Sequence, residues 1–199
     1  MAKRALLVMA DGFEDIEAVA PIDVLTRAGV GLTIASLNAG NVSAAYGTKI
    51  VPDTTVDKIH ELFDAIILPG GRRNAESLAA SAEVVELVKE HSKAGKIVAA
   101  ICAAPSHVLG EAAGLLKGKR ATGDPSFNQK LAGSGASVTN ETVTVDGNFI
   151  TAMGPGAAML FALMLAEKLV GKQVADEFAM RWRIDRTMSD GGVIHGISH

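Results

Sequence analysis

Four short apolar runs limit what this chain can fold into: Arg4 to Ala10 (RALLVMA), Gly31 to Leu37 (GLTIASL), Ala65 to Leu68 (AIIL) and Ile97 to Ile101 (IVAAI). Each has the length of a buried strand, stops abruptly, and leaves room for a helix before the next. Between the first two, Glu14 to Ala28 places Ile16, Val19, Ala20, Val24 and Leu25 near the 3.6-residue spacing of a helix, and Gly29 ends it. A strand, a helix and a strand of these lengths make a βαβ unit with parallel strands and a right-handed crossover. Ser81 to Lys93 repeats the helical pattern through Val84, Val85, Leu87, Val88 and His91, and Gly95 caps it.

The second half is less regular. Val42 to Val51 reads as a short hairpin excursion, and Arg120 to Gly123 as a short strand. Strands near Ser137-Val138, Thr142 to Val145 and Phe149 to Met153 surround an Asp146-Gly147 hairpin signal. Gly154-Pro155-Gly156 opens a helix running to about Val170, and Lys172 to Ile184 forms another. Strands alternating with helices predict an α/β fold: a doubly wound, mostly parallel sheet with helices on both faces and an antiparallel addition. Residues 1–188 are read as a single domain and residues 189–199 as a loose, Gly-rich tail.

Composition narrows the partners. At 199 residues, 48% hydrophobic and 21% charged, the chain can bury a full core without disulfides or metal. Its net charge of −3, with both signs interspersed, offers no broad face for nucleic acid or an anionic membrane. A single cysteine excludes an intrachain disulfide and fits a reducing compartment. Met1-Ala2-Lys3-Arg4 runs into a strand and not a signal sequence, and the apolar stretch 157–166 falls short of the ~20 residues of a membrane span. A soluble, cytoplasmic protein is the expectation. None of His60, His91, His107, His195 and His199 has a second Cys or a tight carboxylate cluster beside it, so no metal or other cofactor is expected.

The chemistry centres on Cys102, which ends the fourth run and is followed by Ala103-Ala104-Pro105 and a helical pattern. A strand, a sharp turn and a helix start hold a side chain above the carboxyl end of a sheet, where open α/β folds place their sites. A buried structural cysteine is the plain alternative, but nearby helix amides favour a thiolate with a lowered pKa, so a nucleophile is the reading. Gly70-Gly71 closes the third strand, and its amides, with that of Ala103, can form an oxyanion pocket. Glu14 and Glu17 lie three apart at a helix start. Either could carry a proton beside the thiol, and spacing leaves the choice open. Asp124-Pro125 is an ordinary turn initiator. His107, five residues after Cys102, reads as a core or surface histidine of the helix.

Taken together, Ala99-Ala100-Ile101-Cys102-Ala103-Ala104-Pro105, Leu68-Pro69-Gly70-Gly71, and Asp11-Gly12-Phe13-Glu14-Asp15-Ile16-Glu17 with Pro21-Ile22-Asp23-Val24 resemble the ThiJ/PfpI superfamily. The branch is that of the parkinsonism-associated deglycase and its bacterial relatives, and the resemblance runs from about residue 3 to 175. It implies a flavodoxin-like three-layer sandwich, a homodimer, and a nucleophilic Cys102 hydrogen-bonded to Glu17 rather than Glu14. It also implies oxyanion amides from Gly71 and Ala103. Asp124 stands where the family commonly has His before Pro, which makes a carboxylate the third candidate catalytic group. Ala103 replaces the His of the protease-like branch and argues against peptidase or amidotransferase chemistry, and Met153 stands where an Arg is common. The expected activity is a glutathione-independent glyoxalase acting on methylglyoxal or glyoxal, with deglycation of protein adducts as the same opening chemistry. The alternative is a non-enzymatic oxidative-stress sensor or chaperone that works through oxidation of Cys102.

Overall fold

The structure, a computed structural model, describes residues 2–184. The apolar runs become β1 (Arg4–Met9), β2 (Gly31–Ser36), β6 (Ala65–Leu68) and β7 (Ile97–Ile101). Shorter strands are β3 (Val42–Ser43), β4 (Lys49–Ile50), β5 (Thr54–Thr55), β8 (Arg120–Ala121), β9 (Ser137–Val138), β10 (Val143–Asp146) and β11 (Phe149–Ala152). The main sheet has seven strands in the order β10-β11-β7-β6-β1-β2-β5. All neighbours are parallel except β10, which returns antiparallel along β11 through the Asp146-Gly147 turn. The expected antiparallel addition is therefore this edge hairpin. The short strand read at 120–123 forms as β8, which pairs with β9 in a separate small sheet.

The central strands are buried almost throughout, as a sheet covered on both faces requires. One covering layer consists of α1 (Asp15–Arg27), α5 (Ala158–Val170) and α6 (Lys172–Trp182), packed on one another. The other holds α2 (Arg72–Ala80), α3 (Ala82–Lys93), the π-helical turn Pro105–Ala112 and α4 (Asn128–Gly133). This is the three-layer, mostly parallel, flavodoxin-like arrangement. The Gly-rich tail, with His195 and His199, lies outside the described residues.

Two elements depart from the sequence reading. Helix α2 was not expected, because only Ala75 and Leu78 give it an apolar stripe and its third inward residue is Asn74. The helix after Cys102 forms, but wound as a π-helix over Pro105–Ala112, and at its end Ala113 N–H reaches back five residues to Val108 O at 2.9 Å. Such widened turns concentrate at functional sites.

The chain leaves β1 toward β2 on one side and returns through β6 on the other, so a crevice opens beyond the carboxyl ends of β1 and β6. The opposite end is tied by Asp64, which accepts from Arg4 N–H at 3.0 Å and from Lys96 Nζ at 3.1 Å. Beside it, fully buried His91 accepts from Phe63 N–H at 3.1 Å and donates through Nδ1 to Leu87 O at 2.7 Å. Burial holds its pKa below the ordinary 6.5. The unfolded chain thus binds the extra proton first, and stability is lost as pH falls below about 6.5. His91→Gln is expected to be less stable at neutral pH but to lose less urea resistance between pH 7.5 and 5.5 than the wild type.

Candidate active site

Cys102 sits where β7 meets the following turn with φ +65°, a left-handed conformation rare for a residue with a Cβ. Holding a non-glycine residue there costs on the order of 1–3 kcal/mol. Neighbouring strands offset that cost: Cys102 N–H donates to Ala152 O at 2.9 Å, and Asp124 N–H donates to Cys102 O at 2.8 Å. The next carbonyl, Ala103 O, accepts from His107 N–H at 3.1 Å and from Ser106 Oγ at 3.0 Å. His107 Nδ1 lies 2.9 Å from the same oxygen, and its ring meets Phe127 edge-on. His107 therefore braces the elbow and does not face the thiol.

Glu17 reaches this point from the first turn of α1. Its Oε2 accepts from Gly70 N–H at 2.8 Å, while Oε1 is buried without a hydrogen bond of regular geometry. The carboxyl and the Cys102 thiol are coupled across the crevice, each altering the other's ionisation. Glu14 lies one turn earlier and caps α1, accepting from Glu17 N–H at 2.9 Å. The two acids left open by spacing thus divide the work: Glu14 answers the helix end, and Glu17 enters the site. Burial, and then the charge of Glu14, push the Glu17 carboxyl up to about 7.

The thiol differs from expectation. Burial, followed by the charge of Glu17, pushes its pKa above the ordinary thiol value, with Gly71 N–H opposing them. Helix amides do not dominate here, because Cys102 is buried, and burial and the Glu17 charge outweigh the one opposing amide, that of Gly71. Cys102 Sγ also donates to Asp124 Oδ2 at 3.7 Å, while Oδ1 of the same carboxyl caps the next turn through Ser126 N–H at 2.8 Å. Asp124 keeps its turn role and faces the sulfur as well.

Gly71 and Ala103 line a cleft of about 850 Å³ over the sulfur, together with Asp124, Arg72, Arg73 and Tyr46. Gly70 does not line it. Its N–H is taken by Glu17, and its carbonyl accepts from Glu14 N–H at 3.1 Å and from Asn74 Nδ2 at 3.1 Å. Gly70 is thus a support for the carboxyl, not a substrate-facing amide. A Cβ there would collide with both Glu17 and Cys102. Gly71, at φ +84°, has no room for one either, since it would strike Gly12 O. Met153 lies outside the cleft wall.

Sequence reading missed Asn74. It is fully buried, accepts from Ala10 N–H at 2.6 Å and donates to Pro69 O at 2.7 Å, so it locks the ends of β1 and β6 together. An Asn three residues beyond Gly-Gly was the available signal, hidden because α2 itself was not foreseen. Ser43 and Tyr46 were also missed. The β3–β4 excursion brings them in, pinned by Asp15, which accepts from Tyr46 N–H at 3.0 Å and Thr48 N–H at 2.9 Å. Among the described residues, no group of three or more His, Cys, Asp or Glu could hold a metal ion.

The fold and this elbow define a class: a flavodoxin-like α/β protein with a cysteine at a strained strand-to-helix turn beside a buried glutamate. Comparison gives the family. A profile for the DJ-1/PfpI family matches residues 3–168, and the chain belongs to that family. Protein dj-1beta of Drosophila melanogaster is 40% identical over 181 residues, covering 90% of this chain and 96% of that protein. Protein DJ-1 homolog A of Arabidopsis thaliana is 42% identical over 177 residues, covering 88% of this chain but only 45% of that longer protein. A Pyrococcus abyssi protein named as a deglycase is 32% identical over 154 residues, covering 77% of this chain and 91% of its own. The crystal structure of Drosophila melanogaster DJ-1beta superposes with a TM-score of 0.88 at 38% identity, covering 93% of this chain and all of that one.

A buried acid with a raised pKa carries a stability cost. Between about pH 4.5 and 7 the folded state binds the extra proton, so stability falls as pH rises through that window. Above it the full penalty stands, on the order of 3 kcal/mol. Glu17→Gln is therefore expected to raise the urea midpoint at pH 8 and leave it nearly unchanged at pH 4.5.

Proposed function

We propose that the protein is a glutathione-independent glyoxalase that converts methylglyoxal or glyoxal to the corresponding hydroxy acid. The observation that carries this reading is the Cys102–Glu17 pair, a strained nucleophile at an open cleft and a buried carboxyl with a pKa near 7. Since the thiol is held protonated, attack and deprotonation go together: Glu17 takes the thiol proton as sulfur adds to the aldehyde carbon. The resulting oxyanion lies toward the Gly71 and Ala103 amides and receives that proton, giving a hemithioacetal.

A carboxylate, Asp124 or the regenerated Glu17, then removes the hydrogen on the former aldehyde carbon, and the ketone oxygen is protonated. The enediol so formed takes a proton on the second carbon and loses one from the first hydroxyl, leaving a thioester of the hydroxy acid. Water cleaves the thioester and restores the thiol. One carbon is oxidised and its neighbour reduced, so only water is consumed. Deglycation of early aldehyde adducts would begin with the same attack, and the deglycase name of the Pyrococcus abyssi relative supports that extension.

Loss of methylglyoxal without added glutathione is expected for the wild type, reduced at least ~100-fold in Cys102→Ser and Glu17→Ala. Equal rates in all three sink the proposal. Asp124→Asn should slow turnover about tenfold; an unchanged rate leaves Asp124 only its turn role. Because Glu17 must start as a carboxylate, kcat/KM is expected to rise with pH and reach half its plateau near 7. In Glu14→Gln that midpoint should fall, because the neighbouring charge that raises it is gone.

A second reading, oxidation sensing at Cys102, is favoured by the solved relative titled Toxoplasma gondii DJ-1, oxidized, with a TM-score of 0.86 and 34% identity. It predicts a stable gain of two oxygens after mild peroxide, abolished by Cys102→Ser, with no dicarbonyl turnover.

A further inference from the structure

Two depressions on the active face meet at Arg72. Arg72, Ser126 and Phe127 belong to the cleft over Cys102 and also to a groove of about 770 Å³ that continues toward Lys130. Arg73 lines the cleft beside Arg72. The fold uses neither guanidinium to balance an acid: both side chains are exposed, and among the described residues neither forms an ion pair.

Both are nevertheless held in place. The Arg72 guanidinium carbon stands 5.2 Å from the centroid of the Phe127 ring. The stem of Arg73 packs over Gly12, where an added Cβ would come within 2.8 Å of Arg73 Cβ. They are the first two residues of α2, directly after Gly71, whose N–H acts on the sulfur. The cations therefore stand on the wall beside the nucleophile.

The acids that line the cleft and the groove are engaged elsewhere. Asp11 accepts from Ser43 N–H at 2.9 Å, Glu14 from Glu17 N–H, and Asp124 from Ser126 N–H and the thiol. In the groove, Glu111 is paired with Lys130 at 2.7 Å. Two fixed guanidinium groups without an internal anion, beside a carbonyl-attacking thiol, match a substrate that brings its own anion.

We propose that Arg72 and Arg73 form an anion-binding subsite, so that the preferred substrate of Cys102 is a 2-oxoaldehyde bearing a carboxylate or phosphate on a short chain. The chemistry at the carbonyl rests on the glyoxalase reading above; the subsite itself does not. The aldehyde carbon is oxidised to a carboxylate, the adjacent ketone is reduced to an alcohol, one water is consumed, and the distal anion is unchanged.

The test compares 4,5-dioxopentanoate with its methyl ester, which has the same reacting end but lacks the charge. In the wild type, kcat/KM is expected to favour the anion about tenfold, as one partly exposed charge-assisted contact supplies. In the double variant Arg72→Gln, Arg73→Gln that ratio should fall to about one. A wild-type ratio at or below one, or a ratio unchanged in the variant, overturns the proposal.

A second measurement needs no turnover. Cys102 is the only thiol, so its alkylation by iodoacetate can be compared with that by iodoacetamide. The iodoacetate-to-iodoacetamide rate ratio should drop about fivefold in the double variant, through loss of two nearby positive charges. An unchanged ratio overturns the subsite even if the enzyme is active. A falling ratio in a protein that turns over neither dioxo compound supports the subsite and removes the glyoxalase reading instead.

Discussion

The contact between the Glu17 carboxyl and the Gly70 amide, made against the Cys102 side chain, is the constraint around which this active face is built. It joins the start of α1, the end of β6 and the end of β7 at one point in the crevice. The contact requires glycine at position 70, because a methyl group would occupy the space of both functional side chains. It also requires that β1 and β6 end at matching heights, which Asn74 secures by bonding to Ala10 on one side and to Pro69 and Gly70 on the other. The sheet core then bears the cost of an acid kept away from water.

Charge is graded across the site. Glu14 spends its carboxylate on the helix end and, by its field, helps keep Glu17 near neutrality in protonation. Asp124 caps a turn with one oxygen and meets the sulfur with the other. Farther out, the cleft wall turns cationic at Arg72 and Arg73.

Much of this was legible in the residues. Strand runs, helix spacing and the abrupt end of Ile97–Ile101 at Cys102 placed the sheet and the thiol at its carboxyl edge, because buried parallel strands leave a plain apolar record. Helix α2 left little record, since its inward face is Ala75, Leu78 and a polar Asn74. The π winding after Cys102 was equally unreadable, because local pattern does not distinguish it from an ordinary helix. The thiol pKa was misjudged for a related reason: helix amides are sequence neighbours, whereas the opposing carboxyl arrives from 85 residues away.

The sequence by itself determined the layer architecture, the turn at Cys102, and, through resemblance, the choice of Glu17. The first two follow from short-range hydrophobic pattern and from the small residues and proline that close the fourth strand. Tertiary structure decided that Gly70 serves the carboxyl rather than the substrate, that Asp124 faces the sulfur while capping its turn, and that Arg72 and Arg73 share the cleft. Each depends on which amide or side chain a distant strand places within hydrogen-bond reach, and on what burial does to a proton there. Such distances are set only when β1, β6 and β7 end side by side.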